Sequence, residues 1–169
     1  GISNYYTPSQ IETAAALLQG NGVELLVNQV RYSMFSRDAE NGALDSMKRL
    51  GIGGVAFAPL HSGMLTDKYI HGLPADSRAM RDPRYLKPCD ITSEKLDKIR
   101  LLNELAKKRE QSLAQMALAW VLRSEAISSA LIGASRTEQI LENMQALDSP
   151  AFENADNQII EEILMRGGF

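Results

Sequence analysis

Apolar and polar positions alternate along this chain between a helical and a strand-like period, and the alternation repeats. Ile11, Ala14, Ala15, Leu17 and Leu18 recur at helical spacing. Ahead of them, Thr7-Pro-Ser-Gln10 offers an N-cap, a proline at the first helical position and a glutamine to close a capping box; Gly20 and Gly22 stop the run. Residues 24–33, with Leu25, Leu26, Val27 and Val30, predict a strand, and residues 41–50, with Leu44, Met47 and Leu50 on one face, a helix. Gly54-Val-Ala-Phe57 reads as a buried strand ended by Pro59. A long segment, 60–91, is then punctuated by Gly63, Gly72, Pro74, Pro83 and Pro88, and connections of this length are usually functional lids or disordered. Residues 92–108 predict an amphipathic helix striped by Leu96, Ile99, Leu102 and Leu105. Residues 112–122 open with a Ser112–Gln115 capping box and are apolar nearly all round, as a deeply buried helix would be. A strand at 129–132 and helices at 137–147 and 154–165 complete the pattern.

Repeated strand-then-helix units imply parallel strands joined by right-handed crossovers. Gly1-Ile2-Ser3 reads as the last residues of a further strand. Three full strands and a fragment cannot close a sheet, and an open parallel sheet leaves unpaired edges and one bare face. The arithmetic suits an α/β fold, the C-terminal part of a (β/α)8 TIM barrel holding about strands 5–8 with their helices, since the whole typically takes about 250 residues. On this reading residues 1–169 are one half-barrel with a long loop at 60–91. The strands near Val27, Val55 and Leu131 should lie parallel and adjacent in that order. The chain should associate with the missing N-terminal half, on the same or a separate chain, or with itself. A flavodoxin-like sheet is the competing arrangement, and the helix-to-lid order fits it poorly.

Composition narrows the function classes. The chain has 169 residues, 44% hydrophobic and 23% charged, as in ordinary soluble domains. A net charge of −3 argues against a nucleic-acid binder, for which a basic stripe is expected. No run approaches about 18 consecutive apolar residues, so no membrane span is expected. Cys89 is the single cysteine and can form no internal disulfide, which fits a reducing cytoplasm. His61 and His71, the two histidines, offer no metal constellation.

The densest candidate chemistry follows the apolar run 129–134. Ser135-Arg-Thr-Glu138 has the form of a capping box, with Ser135 as N-cap and Arg136 at the first helical position. Such an end presents unpaired N–H groups and a partial positive charge, and the guanidinium adds a fork suited to phosphate. Gln139, Glu142 and Asn143 fall on one face of the helix behind it. An ordinary well-capped helix has the same pattern; the polar face beside it points to the phosphate-bearing end of a nucleotide.

Four ordered motifs extend this reading: Gly1-Ile-Ser-Asn-Tyr5, Asn28-Gln-Val-Arg-Tyr32, Phe57-Ala-Pro-Leu60 with Gly63-Met-Leu-Thr-Asp-Lys-Tyr69, and Leu131-Ile-Gly-Ala-Ser-Arg136. Together they resemble the aldo-keto reductases, within them the branch that includes the potassium-channel β subunits and their bacterial relatives. The resemblance implies a (β/α)8 barrel that binds NADPH and transfers hydride to a small carbonyl substrate, an aldehyde or ketone. It places Ser3, Asn4 and Gln29 on the nicotinamide carboxamide and Phe57 near the ring. Ala58 and Pro59 would be among the cofactor-binding positions, the loop of Leu60, His61, Ser62 and Gly63 would approach the pyrophosphate, and Lys68 and Arg78 would cover the phosphates. Gly133 would be a further cofactor-binding position, Ser135 and Arg136 match the 2′-phosphate site, and Gln139, Glu142 and Asn143 the adenine side. Ala58 stands where a serine is common, and His61 and Ser62 replace residues usual in relatives.

The family's catalytic Asp, Tyr, Lys and His belong to earlier strands, and their motifs do not occur here. The five tyrosines read as packing residues with wet hydroxyls, and none is assigned as the acid. The expected function is therefore the NADPH-binding portion of a reductase, inactive on its own. A non-catalytic nucleotide sensor or regulatory subunit is the alternative.

Overall fold

The computed structural model describes residues 1–72, 80, 84 and 86–166. Among them, β1 (Ile2–Ser3), β2 (Val27–Arg31), β3 (Gly53–Phe57) and β4 (Ile127–Leu131) form one sheet in that spatial order, with every pairing parallel. The helices are α1 (Pro8–Gly20), α2 (Ala43–Leu50), α3 (Ser93–Lys108), α4 (Leu113–Leu122), α5 (Thr137–Met144) and α6 (Asn154–Met165). Strands taken in sequence order with helical crossovers are the arrangement of part of a (β/α)8 barrel. None of the described helices is long and apolar enough to cross a membrane. The chain divides into two compact units, Gly1–Pro59 with Trp120–Gly133, and Leu60–Ala119 with Ala134–Phe169.

The first unit holds the sheet. Thr7 caps α1 through the expected reciprocal box with Gln10, and Pro8 occupies the first turn. Ile11, Leu25, Ala43, Met47, Ile52 and Ala126 form the core, with Ile2, Tyr5, Ala14, Ala15, Leu18 and Leu44 packed against it. Side chains alternate between the two sheet faces. Asn28 and Val30 are buried, whereas Val27 on the opposite face is 39% exposed and Leu131 on β4 is 54% exposed. Parallel sheets ordinarily have both faces covered; one row here is not. Gly54 marks a register shift against β4, where a Cβ would lie 2.7 Å from the Ala126 carbonyl oxygen. That close approach starts β4 at Ile127, two residues before the predicted strand.

The second unit is built by α3, residues Leu113–Ala119 of α4, and α5 and α6. Thr92 caps α3 by accepting from the Lys95 N–H at 3.2 Å, and Ile99, Leu102 and Leu105 are buried as the stripe requires. The Ser112–Gln115 box opens α4 as expected. Arg109 ties α3 to α6: it pairs with Asp156, donates to the Pro150 carbonyl at 2.6 Å and lies 4.2 Å over the Phe152 ring. Helix α5 stops three residues short of the predicted end and tightens into a 3-10 turn, Gln145–Asp148. The described part of 60–91 is folded, not structureless. Turns at His61–Gly63, Asp67–Tyr69 and Pro88–Asp90 carry it, and Met64, Leu65, Tyr69 and Leu86 are buried.

Candidate functional site

Parallel pairing of β1 with β2 sets Ser3 opposite Gln29, so the first two candidate segments meet at strand ends. The Asn4 N–H donates to the Gln29 carbonyl at 2.8 Å, and the Ser3 hydroxyl donates to the same oxygen at 3.3 Å. Asn4 Nδ2 donates to Ser3 Oγ at 3.3 Å. Behind them, the Asn28 amide donates to the Tyr5 carbonyl at 2.9 Å and holds the turn that follows β1. Gln29 itself is half-buried. Phe57 ends β3, paired with Arg31 on one side and Leu131 on the other. Gly133 lies exposed just after β4.

Backbone strain occurs in both units. Five described non-glycine residues have a left-handed φ, and four of them, Asn4 (62°), Ala58 (52°), His61 (47°) and Ser62 (57°), lie at a strand end or in the loop after it. Each such residue costs about 1–2 kcal/mol, and strain of this kind concentrates where a site demands it. Pro59 is buried between them.

In the second unit, Leu60 has φ −94° and ψ 13°, followed by left-handed His61, Ser62 and Gly63 (91°). A right-handed residue followed by a left-handed one turns successive N–H groups to one side, which makes an anion-binding concavity. The loop is closed by Gly63 N–H donating to the Leu60 carbonyl at 2.9 Å, Leu65 N–H to the same carbonyl at 3.2 Å, and the Thr66 hydroxyl to the Gly63 carbonyl at 2.7 Å. Lys68 is exposed on the next turn. Arg78 lies outside the described residues.

The start of α5 differs from the predicted box. Arg136, not Ser135, is the N-cap, in an extended conformation and without a side-chain cap bond. Gln139, in the box position counted from Arg136, reaches back instead: its Oε1 accepts from the Ser135 N–H at 2.9 Å and from the Ser135 hydroxyl at 3.2 Å. The Ser135–Glu138 box is therefore replaced by a Ser135–Gln139 contact one residue further on. Arg136 is left exposed at the helix mouth. Glu142 is exposed, and its carbonyl accepts from Gln115 Nε2 at 3.1 Å, whereas Asn143 is only 9% exposed.

Two tyrosines depart from the packing role with a wet hydroxyl. Tyr32, 1% exposed, donates to Glu40 at 2.7 Å and accepts from Arg123 at 3.2 Å, beside Trp120. Arg123 sits 3.7 Å over the Trp120 ring, and Arg37 binds Glu40 at 2.6 Å. Burial drives the Tyr32 phenol far above its ordinary pKa; the Arg123 charge opposes this and the bond to Glu40 adds to it. Tyr6 joins the polar group at β1: its hydroxyl donates to Asn4 Oδ1 at 3.2 Å and accepts from the Arg31 N–H at 2.8 Å. Neither role carried a local sequence signal, since each needs a partner distant in the chain, Arg31 for Tyr6 and Arg123 for Tyr32.

Known proteins resemble this chain in sequence and in fold. The 41%-identical L-glyceraldehyde 3-phosphate reductase of Escherichia coli aligns over 171 residues, covering 99% of this chain and 49% of that protein. A probable voltage-gated potassium channel subunit beta of Oryza sativa subsp. japonica is 39% identical over 126 residues, covering 73% of this chain and 38% of that protein. The crystal structure of a thermostable aldo-keto reductase superposes with a TM-score of 0.68 at 22% identity, covering 96% of this chain and 47% of that one, which shows a shared fold. The chain spans about half the length of the curated relatives it matches. The Aldo/keto reductase family model matches residues 1–165, and the chain belongs to that family.

Proposed function

We propose that this chain is the cofactor-holding portion of an NADPH-dependent reductase of aldehydes and ketones, with the general acid supplied by further strands of the same barrel. The donor set fits the cofactor. Amide and hydroxyl groups of Ser3, Asn4 and Gln29 match a carboxamide, which needs both donors and acceptors. The concavity of Leu60–Ser62 suits a pyrophosphate, and Arg136, exposed at a helix N-terminus without a cap bond, suits a 2′-phosphate dianion. A nicotinamide cofactor held there supplies the hydride.

Ser3, Asn4 and Gln29 orient the carboxamide and so decide which ring face meets the carbonyl, and orientation is a large part of such a barrier. The alkoxide left behind needs a proton. Tyr32 and Tyr69 are buried, Tyr5 packs on the core, and Tyr6 is committed to Asn4 and Arg31, so none of these four is placed to give one. The uncovered row of the sheet at Val27 and Leu131 supports a covering set of strands, which would carry the acid and the wall of the substrate pocket. The name of the Escherichia coli relative supports small aldehydes within the substrate class.

The observation that carries this reading is the hydrogen-bonded group of Ser3, Asn4 and Gln29 at the ends of β1 and β2, with Asn4 held in a left-handed conformation. Its test is carbonyl-dependent oxidation of NADPH by the intact protein, which should exceed that with NADH at equal cofactor concentration. No carbonyl-dependent oxidation of either cofactor, with NADPH bound, would favour a regulatory subunit that keeps the nucleotide site. The potassium-channel relative is the observation behind that second reading.

A further inference from the structure

The hydrogen bonds through Tyr6 run in one direction, and backbone groups fix both ends. The Arg31 N–H can only donate, so the Tyr6 oxygen accepts it at 2.8 Å, and the single phenolic hydrogen goes to Asn4 Oδ1 at 3.2 Å. At the far end the Gln29 carbonyl can only accept. Ser3 therefore donates to it at 3.3 Å, and the Ser3 oxygen receives Asn4 Nδ2 at 3.3 Å. An asparagine amide fills the same space either way round, and its orientation follows from its partners. Here both partners agree: Oδ1 faces Tyr6 and Nδ2 faces Ser3. One Nδ2 hydrogen and one Oδ1 lone pair remain to read a ligand. The left-handed φ of 62° at Asn4 and its N–H bond to Gln29 hold the backbone under this amide.

We propose that Tyr6 is a positioning residue that locks the Asn4 amide in the orientation that reads the nicotinamide carboxamide. The proposal rests on Ser3, Asn4 and Gln29 being the carboxamide site. Without the hydroxyl, Asn4 Oδ1 loses its donor and the Arg31 N–H its acceptor. The amide can then turn over, and part of the population presents a donor where an acceptor is needed.

The test is Tyr6→Phe in the intact protein, titrated calorimetrically with NADPH and with adenosine 2′,5′-bisphosphate, which has no nicotinamide. Tyr6 is half-buried, and phenylalanine keeps the ring, so the fold should persist; a thermal melt checks this. The expected result is about 2- to 10-fold weaker NADPH binding, the worth of one neutral hydrogen bond, with the bisphosphate unchanged. In an Asn4→Ala background the same substitution should add nothing, because Tyr6 acts through Asn4. The side-chain ¹⁵N–H₂ signals of Asn4 in the free protein should also move in Tyr6→Phe. If Asn4→Ala leaves the NADPH-to-bisphosphate affinity ratio unchanged, the carboxamide site itself is misplaced. If Asn4→Ala weakens NADPH alone while Tyr6→Phe binds as wild type, or weakens equally in both backgrounds, the site stands and the role of Tyr6 is refuted.

Discussion

Arg136 offers the sharpest perturbation because its loss should separate binding from folding. It caps α5 by backbone conformation alone, with an exposed side chain and no cap bond, so Arg136→Ala should change stability by no more than about 0.5 kcal/mol. Against a 2′-phosphate the loss is larger. Hydrogen bonds to charged groups contribute about 1.5–3 kcal/mol, which at about 1.4 kcal/mol per decade is a roughly 10- to 150-fold weaker complex. NADH carries no such phosphate and should bind nearly as before. Because the guanidinium is exposed, raising the salt to about 1 M should shrink the difference between the cofactors. Arg136→Lys keeps the charge but loses the fork and should fall between the two. Dissociation constants for NADPH and NADH, measured by fluorescence titration of the intact protein at two salt concentrations, read the effect directly. An equal loss for both cofactors would refute the placement of Arg136 on the 2′-phosphate.

The remaining expectations concern the two units. Burial raises the Tyr32 pKa in the folded state above the ordinary phenol value of about 10, so its stabilisation is complete below about pH 10 and is lost as pH rises through the folded-state value. Tyr32→Phe should flatten that alkaline fall in the melting temperature while costing about 1.5–3 kcal/mol near neutrality, the worth of bonds to charged partners; an unchanged alkaline slope would contradict the buried network. Arg109→Ala breaks a pair in which the arginine side chain is 8% exposed and should cost about 3–5 kcal/mol, read as a lower urea midpoint. A change near zero would mean that α3 and α6 do not depend on the clamp.

What was legible in the sequence was local. The Thr7–Gln10 and Ser112–Gln115 boxes and the span of α6 follow from side chains bonding within one turn, and the structure shows them in place. The parallel order β2–β3–β4 was legible from the repeating strand–helix pattern. The Ser135–Glu138 box was read from spacing, but Gln139, one residue further on, lies within equal reach of Ser135, and spacing alone does not choose between them. The structure uses Gln139, whose Oε1 accepts from both the N–H and the hydroxyl of Ser135, while Arg136 caps α5 without a side-chain bond. Tyr6 was illegible because Arg31, 25 residues away, reaches it only through the β1–β2 register. The bond between Tyr32 and Arg123 spans 91 residues and was hidden for the same reason.

The most direct test separates the strands proposed to hold the cofactor from those proposed to supply the acid. The 169-residue chain, alone and mixed with the strands proposed to complete its barrel, is assayed for carbonyl-dependent oxidation of NADPH. General-acid catalysis contributes about 10²–10⁴-fold, and none of the tyrosines at positions 5, 6, 32 and 69 is placed to supply it. The chain alone should therefore turn over carbonyls at no more than background, and the mixture should restore turnover. Robust turnover by the isolated chain would contradict the account and place the acid among its own residues.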